Sequence, residues 1–118
     1  MTKVVYITRN ELIAGTIDDV APGAFGYDSI ARAARAGDLF TADVLVVGQD
    51  LMHQAAALEI AVQTPAATTF AIAFDHEPTS GELVEAEQVA RADRVLVLPA
   101  DPDDLEWDWL HACAVAGV

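Results

Sequence analysis

Apolar runs of this 118-residue chain end in Ile7-Thr8-Arg9, in Val47-Gly48-Gln49 and in Leu98-Pro99. If these runs are parallel strands, their carboxyl ends are where an open α/β sheet places its ligands and reactions. Phosphoryl transfer at such a rim needs carboxylates for a divalent cation, an acceptor side chain and a cation to meet the transferred charge. The chain offers Thr8 and Arg9, then Gly48, then Leu98. Arg9 opposes a cation, Gly48 has no side chain to modify, and Leu98 leaves a phosphate without a counter-charge. Asp50, two residues beyond Gly48, is placed to cap the helix that follows, with a displaced phospho-acceptor as the alternative.

The remaining polar groups are sparse. Asp75, His76 and Glu77 follow the fourth apolar run and have the composition of an acid–base pair or a metal site, but no second ligand group stands at matching spacing, so a mobile, solvated loop is expected. His53 and His111 fall on different helices, without a Cys or His at ligand spacing, and are expected at or near the surface. Cys113 is the one cysteine. It cannot form an internal disulfide, which suits a reducing compartment, and should pack as a small apolar group. No Gly-x-Gly-x-x-Gly, phosphate-binding Gly-x-x-x-x-Gly-Lys or Gly-x-Ser-x-Gly turn follows any strand. For a flavin or nucleotide, Thr8-Arg9-Asn10-Glu11 offers one hydroxyl and an acid, a weak phosphate loop. No catalytic residue, metal or cofactor is therefore expected, and a flavin- or nucleotide-binding domain stands as an alternative.

These residues must be held by elements that alternate. Residues 3–8, 44–48, 68–74 and 94–98 read as strands, rich in Val, Ile, Leu and Phe without polar alternation, as strands covered on both faces do. A weaker fifth candidate is 24–27. Asn10 should cap a helix over 11–20, in which Ile13, Ile17 and Val20 recur at helical spacing. A second helix over 29–36 should stop at Gly37. A third, capped by Asp50, should bury Leu51, Ala55, Leu58 and Val62 before Pro65, with Gln54 and Ile60 on its outer side. Thr79-Ser80-Gly81-Glu82 has capping-box spacing, so a fourth helix should run to about Ala92. Asp101-Pro102 should open the last one. Short connections of this kind predict a single α/β domain over 1–118: (βα)5, a parallel five-stranded sheet of order 2-1-3-4-5, helices on both faces.

Composition narrows the class. The chain is 53% hydrophobic and 21% charged, and no apolar run approaches the ~20 residues of a membrane span. Lys3 is followed at once by Val4-Val5-Tyr6-Ile7 without a signal-peptide pattern, so a cytoplasmic location is expected. Nineteen acids against six bases leave a formal charge of −13. Such a field repels phosphate backbones and anionic lipid, which argues against direct nucleic-acid binding or membrane insertion. Eleven of the acids lie between Asp75 and Asp108, with Arg91 and Arg94 the only bases there; a solvated surface, a basic partner and a salt-adapted source all fit. On the last helix Leu105, Trp109, Ala112, Cys113 and Ala116 define the inner face, while Trp107 projects outward beside Leu110 and His111 as an interface anchor, or else folds down over the turn after the fifth strand.

Three segments together, Val5-Tyr6-Ile7-Thr8-Arg9-Asn10-Glu11, Ala42-Asp43-Val44-Leu45-Val46-Val47-Gly48-Gln49-Asp50 and Ala92-Asp93-Arg94-Val95-Leu96-Val97-Leu98-Pro99, give a chain that resembles the N-terminal atypical receiver domain of the CpaE/TadZ group, particularly its actinobacterial septum-site-determining (Ssd, CpaE-like) branch. The resemblance implies a receiver-like, flavodoxin-like domain without phosphorylation chemistry, with Thr8, Arg9, Gly48, Asp75 and Leu98 forming a degenerate receiver site. It implies a homodimer or a protein partner, a MinD/ParA-like ATPase domain following in the same protein, and a role in septum placement or in Tad pilus and secretion assembly. The contact surface expected from it is the fourth helix, fifth strand and last helix: Glu87, Arg91, Trp107, Leu110 and His111. A divergent, phosphorylatable receiver using Asp50 or Asp75 is the competing expectation.

Overall fold

Five strands pair in parallel in the order β2-β1-β3-β4-β5: β1 (Val4–Ile7), β2 (Phe25–Tyr27), β3 (Val44–Gly48), β4 (Thr69–Phe74) and β5 (Arg94–Val97). The computed structural model describes residues 2–99 and 104–115. Every residue of β1 and β3 is buried, as continuous apolarity demands of strands covered on both faces. The register aligns Ile7 with Val47 and Gly48 with Ala73, so the strands end at one rim. Edge strand β2 is the short candidate, three residues long and largely exposed.

Side-chain alternation along the strands builds two cores. On one face Val5, Ile7, Leu45, Val47, Phe70, Ile72 and Phe74 pack against α2 (Ile30–Ala36), α3 (Met52–Ala57), α4 (Ile60–Gln63) and the segment after Thr79. On the other, Val4, Tyr6, Val44, Val46, Ala71, Ala73, Leu96 and Leu98 pack against α1 (Glu11–Val20) and α6 (Leu105–Val115). Asn10 caps α1, its side chain accepting from the Leu12 and Ile13 amides, and Ser29 caps α2, which ends at Gly37 with φ 82°. Among the described residues no helix is long and apolar enough to cross a membrane.

Three expected helices differ. The third is broken: a 3-10 turn over Gln49–Leu51 leads into α3, Glu59 takes a left-handed φ of 51°, and α4 starts anew. The break carries Ile60 into the core at 2% exposure and turns Leu58 and Val62 outward, at 49% and 59%. The fourth has its Thr79–Glu82 capping box, but α5 (Ser80–Val84) widens into a π-helical turn over Glu85–Val89 and ends before Arg91, which has φ 62°. In α6 the faces are exchanged. Trp107 (4% exposed) and Leu110 (0%) are buried, whereas Leu105 is 78% exposed. The Trp107 indole Nε1 donates to the Val97 carbonyl at 2.8 Å. Trp109 lies half-buried with the Arg94 guanidinium 4.2 Å from its ring. Burying the indole that can satisfy its N–H on a strand carbonyl, and stacking the other under a cation, outweighs the apolar stripe that Leu105 suggested. The expected Asp101-Pro102 start and Ala116 lie outside the described residues. Asp104 caps α6, its Oδ1 accepting from the Glu106 amide at 2.9 Å.

Replacing Trp107 by Ala should lower unfolding free energy by ~3–5 kcal/mol, Trp107→Phe by less, and Leu105→Ala by no more than ~0.5 kcal/mol, read from denaturant titration.

Candidate functional site

The rim is assembled from four strand ends: Thr8, Arg9 and Asn10 after β1, Gly48, Gln49 and Asp50 after β3, Asp75 and His76 after β4, and Leu98 after β5. Its centre is a carboxylate. Asp50 does not cap a helix, contrary to expectation. The 3-10 turn after β3 carries its side chain back over the strand end, where Oδ1 accepts from the Thr8 hydroxyl at 2.6 Å and Oδ2 from the Arg9 amide at 2.8 Å. Thr8 Oγ1 in turn accepts from the Asn10 amide at 3.0 Å.

This arrangement explains Gly48. A Cβ there would collide with Asp50 Oδ1 and Thr8 Oγ1 and lie 2.7 Å from Thr8 Cβ. The space that an acceptor side chain at position 48 would need is filled by groups from positions 8 and 50. A buried threonine, 5% exposed, and a carboxylate whose two oxygens are both engaged tie the β1 and β3 ends together.

A second set of bonds joins β1, β3 and β4. While Asn10 Oδ1 caps α1, its Nδ2 donates to Asp75 Oδ2 at 2.8 Å. Gln49 holds Asp75 twice, Nε2 donating to Oδ1 at 2.8 Å and Oε1 accepting from the Asp75 amide at 2.7 Å. His76 Nδ1 lies 2.7 Å from Asp75 Oδ1, and its Nε2 lies 3.0 Å from Glu82 Oε2 at the start of α5. The loop is solvated at His76 and Glu77, both exposed, and is also hydrogen-bonded at Asp75 and His76. Bonds to His76 and then to Asn10 and Gln49 hold the Asp75 carboxyl below its ordinary value against partial desolvation. The bond to Asp75, then that to Glu82, pushes the His76 imidazole up from 6.5. Glu82 is lowered first by its bond to the Thr79 backbone.

What the rim can do follows from its charges. Among the described residues no three His, Cys, Asp or Glu side chains converge as metal ligands. Arg9 is exposed and its Nε donates outward to the Asp28 carbonyl at 3.2 Å. Leu98, at the position of the ammonium, is 3% exposed in the core. Of the five degenerate-site residues, Thr8, Arg9, Gly48 and Asp75 stand within the two bonded sets and Leu98 lies beneath the rim. Asp50, Asn10 and Gln49 complete the arrangement; the helix-capping types of Asp50 and Asn10 concealed the bonds of Asp50 to β1 and of Asn10 to Asp75.

The expected contact surface needs correction. Trp107 and Leu110 are core residues and not exposed anchors; the alternative, Trp107 folded down over the end of β5, is the arrangement found. His111 is exposed and its Nδ1 lies 2.9 Å from the Val20 carbonyl on α1. Glu87 and Arg91 are exposed. His53 pairs with Glu85 at 2.5 Å, and Cys113 is a free, half-buried thiol.

Gly48→Ala should cost about 1–3 kcal/mol by overpacking, and Gly48→Ala with Asp50→Ala should cost less than the sum of the single changes in a denaturation cycle. The His76 bridge stabilises the fold fully below pH 6.5 and loses that contribution as pH rises through the raised imidazole pKa; the Asp75 and Glu82 contributions are lost as pH falls through their lowered values. An NMR titration of His76 should give a midpoint above 6.5, and Asp75→Asn should bring it down.

No protein-family model matches the chain, and no curated protein matches it. A solved structure does: the crystal structure of HP1043, an orphan response regulator of H. pylori, superposes with a TM-score of 0.64 over 96% of each chain at 18% identity. With the strand order β2-β1-β3-β4-β5, that similarity establishes a receiver-like fold for this chain.

Proposed function

We propose that this chain is a non-phosphorylated, non-catalytic receiver-like domain that works by touching other proteins. One observation carries the reading: the acceptor position after β3 is Gly48, and the room for a longer side chain is taken by Asp50 and Thr8. Thr8 and Arg9 in place of an acid pair, and Leu98 in place of an ammonium, point the same way, because neither a divalent cation nor a phosphoryl group would meet its usual counter-charges.

The docking surface in this reading is the face of α5, β5 and α6. Its exposed members include Glu87 in the π-helical turn and Leu105 on α6, beside the Arg94 stack on Trp109 and the Arg94–Glu106 pair at 3.1 Å, whereas His111 lies on the α1 side of α6. The resemblance of the three segments to the CpaE/TadZ group is what supports a setting next to a MinD/ParA-like ATPase, in septum placement or Tad pilus and secretion assembly. A basic partner surface suits the net charge of −13.

A second reading, a divergent phosphorylatable receiver, is favoured by the carboxylate of Asp50 over the β3 end, while its double engagement by Thr8 and Arg9 opposes it. Incubation with acetyl phosphate and Mg²⁺ followed by intact-mass measurement separates them. The mass should stay unchanged; a phosphate adduct that disappears in Asp50→Asn or Asp75→Asn would overturn the proposal.

A further inference from the structure

We propose that two copies of this chain associate around a twofold axis through the groove between α4 and the π-helical turn. The proposal rests on the reading of the domain as an interaction module and assigns the partner at one specific face. The groove is lined by Ala56, Ala61, Val62, Val89, Glu59 and Arg91. Its rim is apolar: Val62 and Val89 are 59% and 58% exposed, and Leu58 on the same broken helix is 49% exposed. An apolar stripe that would ordinarily face the core is turned outward by the break at Glu59. Exposed apolar surface of this kind marks a contact site.

Glu59 and Arg91 are the two non-glycine residues with positive φ, 51° and 62°, among the described residues, and both border this groove. Left-handed backbone is strained for a residue with a Cβ, and glycine would relieve it. The chain instead places an acid and a base there, and strain of this sort collects at functional surfaces. Neither side chain is in an ion pair among the described residues, although both border one groove. An apolar centre flanked by one carboxylate and one guanidinium is complementary to its own image. About a twofold axis, Glu59 of each copy meets Arg91 of the other while Val62 and Val89 pack across the axis. With a charge of −13 per copy, two chains meet general repulsion elsewhere, so an approach that pairs opposite charges selects this register.

Sedimentation equilibrium of the whole chain at physiological salt tests the assignment, with circular dichroism confirming that each variant is folded. The wild type should dimerise reversibly. Arg91→Glu and Glu59→Arg, which keep the Cβ and the backbone strain, should each weaken the dimer by about tenfold or more, Val62→Ser should weaken it too, and Glu59→Arg with Arg91→Glu should recover it. A wild type that stays monomeric to millimolar concentration, single reversals without effect, or a folded double reversal that fails to recover would each overturn the proposal. So would a dimer abolished by Leu105→Glu on α6 but indifferent to the groove. Failure here leaves the acetyl phosphate experiment untouched, and a phosphate adduct there leaves the association measurement untouched.

Discussion

The bond between the Asp50 carboxylate and the Thr8 hydroxyl governs the rim of this sheet. It brings a charged group from beyond the end of β3 back over the strand, fixes the first turn after β1 through the Arg9 amide, and makes a side chain at position 48 sterically incompatible. A charge-assisted hydrogen bond to a nearly buried hydroxyl is short and directional. The Asp50 carboxylate, itself exposed, is thus held over the end of β3 with both oxygens engaged.

The second bonded set extends the same logic to β4. Asn10 serves two elements at once, closing the amino end of α1 with its oxygen and reaching Asp75 with its nitrogen. Gln49 clamps both the side chain and the amide of Asp75. Loops after three strands are thereby held by one another. On the helical faces, Arg94 stacks on Trp109 and the break at Glu59 exposes Leu58 and Val62.

The architecture was legible because it depends on periodicity. Continuous apolar strands, the caps at Asn10 and Thr79 and the stop at Gly37 are local signals, and the sheet order follows from alternation and handedness. Residue type alone placed Gly48 and Leu98 at their strand ends, but not the Asp50 and Asp75 carboxylates that the rim holds. What stayed hidden depends on partners distant in sequence. Asp50 has the type and position of a cap, and only the approach of Thr8, 42 residues earlier, redirects it. No Gly or Pro announces the break at Glu59, so Leu58 and Val62 read as core and Ile60 as surface, the reverse of their places. In α6 the stripe through Leu105 competed with one through Trp107 and Leu110, and the carbonyl of Val97, which decides between them, belongs to another element.

That indole bond has a further consequence for how sheets join. The Val97 carbonyl on β5 is spent on Trp107, and Arg94 at the other end of the same strand is held by Glu106, so this margin is dressed by its own helix. The opposite margin, β2, has three residues, too few to template a long foreign strand. A foreign strand would therefore meet an engaged carbonyl at one border and only three residues at the other.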